Sequence, residues 1–246
     1  MKKLVKVFAL AALMIMGGQA LAQTRGDMFL SGAFPLKDYA DFDGFDDFAL
    51  TSHDLDDDDG GAGIGFNVGL KWYFNVGVQG LGVMLSVDGI YNGPNSDLKQ
   101  TYIDGNAVVE GFVVPGFNYN STPKYINLPV MLGLNYIYHF NPNLGVYVEA
   151  GAGGNMRFIT QMEYVSKINN DIKFAHNYDS AFGFAYQVGA GFEVAKNLLI
   201  GVSFYDLGKG QVKGTETIKN DPTSPHSKTW GTVHPMMIMG RIGFSF

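Results

Sequence analysis

Eight stretches of this chain alternate between two kinds of side chain, and that period of two constrains the fold more than any other feature. Over 125–138 the even positions are Ile126, Leu128, Val130, Leu132, Leu134, Tyr136 and Tyr138, while the odd ones include Asn127, Gly133 and Asn135. Over 144–158 the even set runs Leu144, Val146, Val148, Ala150, Ala152, Gly154, Met156 and Phe158, against Glu149, Gly151, Gly153, Asn155 and Arg157. The same split recurs over 64–74 (Ile64, Phe66, Val68, Leu70, Trp72 and Phe74 against Gly65, Asn67, Gly69 and Lys71). It recurs over 81–91, where Val83, Leu85 and Val87 oppose Gly82, Ser86 and Asp88, and over 182–194, where Phe184, Tyr186, Val188 and Phe192 oppose Gln187, Gly189, Gly191 and Glu193. The stretches 198–204 and 236–246 complete the set, and 27–34 alternates weakly, with Met28, Leu30 and Phe34 read as outward. Successive side chains of a strand point to opposite faces, so each stretch predicts a strand with one bulky apolar face and one small or polar face.

The connections alternate too. Short ones fall at 75–80, 140–143 and 195–197, and long ones at 35–63, 92–124, 159–181 and 207–234. Strands of roughly 9–11 residues cross a bilayer when tilted, and outer-membrane barrels carry short periplasmic turns and longer outer loops. The expectation is an all-β chain: an eight-stranded antiparallel up-and-down transmembrane β-barrel with both termini on the periplasmic side.

A soluble barrel of the lipocalin type shares the alternation, so the decision rests on which face is polar. Here the bulky set is nearly unbroken, whereas the other set is rich in glycine with few charges per strand. Small groups suit the crowded lumen of a narrow barrel, which sends the bulky face outward into lipid. Trp72, Phe74, Tyr136, Tyr138, Phe244 and Phe246 gather near strand ends, as an interfacial girdle at the periplasmic rim would.

The start of the chain agrees with export. Lys2, Lys3 and Lys6 precede an apolar run over 7–16, and Gln19-Ala-Leu-Ala22 ends in small residues. That grammar predicts a signal peptide over 1–22, cleaved before Gln23, with one barrel domain over 23–246. The chain has no Cys, so neither a lipoprotein anchor nor disulfides are expected, and a closed hydrogen-bonded barrel supplies stability instead. Ten Asp and one Lys lie in 35–60. That segment, read as an acidic first outer loop, carries the net charge of the mature chain and leaves no basic face for nucleic acid.

Together with the signal ending, the opening Tyr125-Ile-Asn-Leu-Pro-Val-Met-Leu-Gly-Leu and the end Arg241-Ile-Gly-Phe-Ser-Phe246 resemble the outer membrane protein beta-barrel domain family, small barrels of the OmpX and OmpA type. The resemblance covers essentially the whole mature chain and implies a Gram-negative outer-membrane location. It also implies that Ile242, Phe244 and Phe246 are read by the barrel-assembly machinery; Gly240 sits one place from where that signal often has its glycine. Such families differ widely in function, so no mechanism follows.

Alternation places Lys71, Arg157 and Arg241 inside with Asp88, Glu149 and Glu193. Three charges of each sign in a narrow tube are expected to pair and plug it; the alternative is a narrow polar conduit for small solutes. The acidic segment has oxygen ligands for Ca²⁺ but no closing Glu of an EF-hand, so a solvated, self-repelling loop is the expectation. The five His offer no metal-ligand spacing. His53 beside Asp54, or His234 at the top of the last strand, would be needed for a rim-site enzyme. The expectation is therefore no catalytic, metal or cofactor residues and no enzyme. Asp104-Gly105 signals a hairpin turn in the second long loop, and 159–174 reads as a hairpin extending strands five and six. Projecting strands of that kind suit a structural, adhesion or interaction role by strand addition to an external ligand or protein.

Overall fold

The computed structural model describes residues 24–36, 40–41, 61–95, 107–109, 112–114, 117–166, 173–219 and 227–246. The expected signal peptide, most of the expected acidic loop, Asp104-Gly105 and His53 lie outside them. The described chain is all strand and turn. In order it runs β1 (Thr24–Pro35), β2 (Ala40–Asp41), β3 (Ala62–Asn75), β4 (Leu81–Pro94), β5 (Ala107–Val109), β6 (Phe112–Val114), β7 (Phe117–Ser121) and β8 (Tyr125–Asn141). It continues with β9 (Leu144–Ile159), β10 (Met162–Ser166), β11 (Lys173–Tyr178), β12 (Ala181–Val194), β13 (Leu198–Asp206), β14 (Gly210–Lys219), β15 (Ser227–Val233) and β16 (Met236–Ser245).

Eight of these close into an antiparallel barrel in the order β1-β16-β13-β12-β9-β8-β4-β3. They are the eight stretches that alternate. Closure joins the ends of the chain: β1 pairs with β16 through Met28↔Phe244 and Ser31↔Arg241, and Gly26 and Phe246 exchange two backbone hydrogen bonds of 3.1 and 2.8 Å. The short turns lie together at that end. Gly77 and Gly80 have positive φ in the first of them, and Ala195 and Lys196 supply the same left-handed backbone in the third. Two successive positive-φ residues match the twist of a tight hairpin, which is why three residues, 195–197, suffice there.

Burial follows the alternation. The bulky set points out: Leu132 is 64% exposed, Phe184 65% and Ile242 60%, a surface that only lipid would cover. Met28, Leu30 and Phe34 are outward as expected.

The long connections hold more strand than the alternation suggests. β2-β15-β14-β11-β10-β7 form a six-stranded sheet beyond the barrel, and β5 pairs with β6 on its own. The hairpin expected over 159–174 is β10 with β11. β14, with the sequence GQVKGTETIK, mixes threonine, valine and lysine. It carries no bulky face because it does not stand against lipid, so the period-two signal weakens there although the strand persists.

Candidate functional site

The lumen is filled from the periplasmic mouth upward. At the mouth Arg25 bonds Asp27 (Nε to Oδ1, 2.8 Å) and reaches Glu193, and Ser245 Oγ donates to the same Asp27 oxygen at 2.7 Å. His139 Nε2 stands 3.1 Å from the other oxygen of Glu193. In the next layer Lys71 and Arg241 both meet Glu149 Oε1, and Tyr73 donates its hydroxyl to Oε2 at 3.3 Å. The Arg241 guanidinium also lies 4.9 Å from the centre of the Phe29 ring and 5.5 Å from that of Tyr147, while Lys71 Nζ sits 5.3 Å from Phe29. The Phe29 ring thus stands beside both cations, each within reach of its π system.

Above this, Asp88 accepts from Asn67 Nδ2 at 3.0 Å and Ser86 Oγ at 2.6 Å. The outer half of the lumen mixes apolar and amide side chains: Ile90, Tyr125, Met131, Tyr205, Met237 and Met239 pack with Leu207, Val212 and Val233, all buried, and Asn155 Nδ2 donates to Asn127 Oδ1 at 2.9 Å. Arg157 ends this stack by donating to three carbonyls, Val233 (2.9 Å), Leu207 (2.7 Å) and Gly208 (2.7 Å).

All six charges assigned inward by alternation are buried in the lumen. Their partners differ from the simple pairing expected. Only Lys71, Arg241 and Glu149 meet one another. Glu193 is taken by Arg25 and His139, Asp88 is held by neutral donors, and Arg157 binds backbone. In the outer half apolar side chains stand among the buried amides Asn127 and Asn155. Arg25 and Asp27 escaped the sequence reading because 27–34 alternates weakly. With Met28 outward, Asp27 had to be inward, and that parity was the available signal.

At the outer rim His234 Nε2 lies 3.2 and 3.3 Å from the two oxygens of Asp206. The same carboxylate accepts from the Tyr186 hydroxyl at 2.9 Å and from the Gly208 N–H at 2.8 Å. Leu207 N–H donates to the Pro235 carbonyl at 2.9 Å. Asp206 and Arg157 thereby clamp the same pair of joints, β13 to β14 and β15 to β16, from outside and inside the barrel. His234 is brought to Asp206, a residue sequence reasoning missed. Among the described residues no group of three or more His, Asp or Glu is placed to hold a metal ion.

The profile of the family described as "Outer membrane protein beta-barrel domain" matches residues 8–221. Curated protein sequences gave no match. Among solved structures, the outer membrane protein OprG from Pseudomonas aeruginosa is similar with a TM-score of 0.48 and 14% identity, covering 92% of this chain and 97% of that one. Ail, the attachment invasion locus protein of Yersinia pestis, is similar with a TM-score of 0.38 and 16% identity, covering 92% and 100%. The outer membrane protease OmpT from Escherichia coli is similar with a TM-score of 0.46 and 9% identity, covering 92% and 98%.

Proposed function

The chain belongs to the outer membrane protein beta-barrel domain family, and from that premise we propose that it is a non-catalytic barrel that acts through its outer face. Its location is the outer membrane, with lipid around the exposed apolar face. The observation that carries the reading is the six-stranded outer sheet. β2, β15, β14, β11, β10 and β7 continue the wall, and among the described residues β2 and β7 stand at the two ends of that sheet. A strand edge offers unpaired main-chain groups to an extended partner, which is the chemistry of strand addition.

Three further features support it. The lumen is packed with side chains, so solute passage would have to displace both the Lys71–Glu149–Arg241 layer and the packed outer half. Asp206, the partner of His234, is already engaged by Tyr186 and Gly208, which suits a joint better than a rim-site reaction. Ile242, Phe244 and Phe246 face outward at 60%, 57% and 75% exposure, open to capture by the barrel-assembly machinery.

The test places a photo-crosslinking residue at Tyr119 in β7 and, as control, at Leu132 on the lipid face, in intact cells. Protein adducts at position 119 and not at 132 are expected. Adducts at neither position, or discrete channel events from the purified barrel in planar bilayers, would overturn the reading in favour of an inert wall or a conduit.

A further inference from the structure

The periplasmic end of the barrel holds a cleft of about 560 Å³, at the opposite end of the molecule from the outer sheet. It opens where strand lengths do not match. β8 runs on to Asn141, whereas its neighbour β4 begins at Leu81, opposite Tyr136. One more bond, from the Ile137 N–H to the Gly80 carbonyl at 2.8 Å, follows on that side. Residues 138–141 then run past the last β4 pair, with β9 beside them on the other edge. The 76–80 turn forms one wall of the cleft and this overhang the other.

The floor decides what the cleft suits. Arg25 is engaged by Asp27 and Glu193, so its charge is opposed by two carboxylates and selects no anion. Tyr73 donates to Glu149. Asn135 differs: it lines the cleft, is only 8% exposed, and makes no side-chain hydrogen bond among the described residues. A carboxamide carries two donors and an acceptor, and those of Asn135 face the cleft. Gln79 adds a second, exposed amide from the turn.

A strand overhang beside a buried, unpartnered amide fits one ligand chemistry. We propose that this cleft binds an uncharged, extended peptide segment on the periplasmic side, with Asn135 recognising its amide groups. The peptide lies along 138–141 as a short added strand, and Asn135 and Gln79 meet its carbonyls and N–H groups from below and from the turn.

Isotope-labelled mature protein in micelles is titrated with acetyl-Ala-Thr-Val-Ala-amide and, in a second arm, with N,N′-diacetylchitobiose, and followed by NMR. The peptide is expected to give saturable shifts of the Asn135 side-chain amide and of the backbone amides of 138–141. Asn135→Leu weakens binding about tenfold, the scale of one or two lost hydrogen bonds. Should that variant fold poorly, Gln79→Ala in the exposed turn carries the same test with about a threefold loss. The proposal is overturned by no saturable shift at about 10 mM peptide, by shifts that neither variant alters, or by shifts with the disaccharide alone.

Discussion

Arg241 on the last strand reaches across the lumen to Glu149 on the fifth wall strand, closing to 2.6 Å between Nη1 and Oε1. Lys71 takes the same oxygen from the second wall strand, so two buried cations share one buried carboxylate. The arrangement makes the three residues unequal. Glu149→Gln leaves Lys71 and Arg241 beside each other without the carboxylate they share, and removing one partner of a buried ion pair costs about 3–5 kcal/mol. Lys71→Met keeps the Arg241–Glu149 pair and adds an apolar chain of similar length, so its loss is smaller. Urea unfolding in micelles, followed by the heat-dependent shift in gel migration, ranks the two. Equal losses would show that the lumen charges are solvated independently.

The wall has its own ranking, set by glycine. Gly133 and Gly151 face each other across β8 and β9. A Cβ added at Gly133 would stand 2.0 Å from the Ala150 carbonyl oxygen and 2.6 Å from the Gly151 Cα, both backbone atoms that cannot turn aside. Gly240, on the outward face, has nothing within 4 Å of its would-be Cβ. Gly133→Ala is expected to lower stability by about 1–3 kcal/mol, the range for overpacked sites, while Gly240→Ala leaves it unchanged or slightly raised. Thermal unfolding midpoints measure both, and a neutral Gly133→Ala would mean that the two strands can separate without loss.

Strand positions, face assignment and strand count were legible because lipid imposes one demand along every wall strand: bulky groups out, small or polar groups in. Lys71, Arg157, Arg241, Asp88, Glu149 and Glu193 followed by parity. What each inward charge meets was not legible, since partners come from strands far apart in sequence. Arg25 and Glu193 are 168 residues apart, and register across a barrel is set by closure. The outer sheet was faint for the opposite reason, because strands such as β14 stand in water on at least one side and lack an apolar stripe. Leu207, Val212 and Val233, which complete the outer packing, lie beyond the alternating stretches, so no wall pattern includes them.

Arg157 ties the outer sheet to the wall. Its guanidinium donates to the carbonyls of Val233, Leu207 and Gly208, at the joints where two wall strands pass into β14 and β15. Arg157→Met removes the donors and leaves those carbonyls without them. Hydrogen bonds to a charged group contribute about 1.5–3 kcal/mol each, so the joints should open at least about tenfold more often. Trypsin cleavage after Lys209 in the micelle-embedded protein should speed up accordingly, when opening is fast relative to cleavage. Cleavage after Lys196, exposed in a periplasmic turn, is the internal control and should not change. Equal acceleration at both lysines would indicate general unfolding, not release of the joint.

The β4–β8 ladder has one interruption, and its cause is a single residue. The register runs from Leu81↔Tyr136 to Val87↔Val130, and resumes at Ile90↔Asn127. Between them stands Pro129, which has no N–H to offer the Asp88 carbonyl across the seam. Pro129→Val restores a donor with a β-branched residue suited to a pleated surface. The added hydrogen bond favours the variant by about 0.5–1.5 kcal/mol, and the freer unfolded chain opposes it by about 0.4–1 kcal/mol. The net gain in the urea midpoint is therefore small. The sharper readout is amide exchange, which should slow at residues 88–90 and at the new position 129 but not in the neighbouring β8–β9 seam. Unchanged exchange at 88–90 would mean that the missing donor is not what loosens this seam.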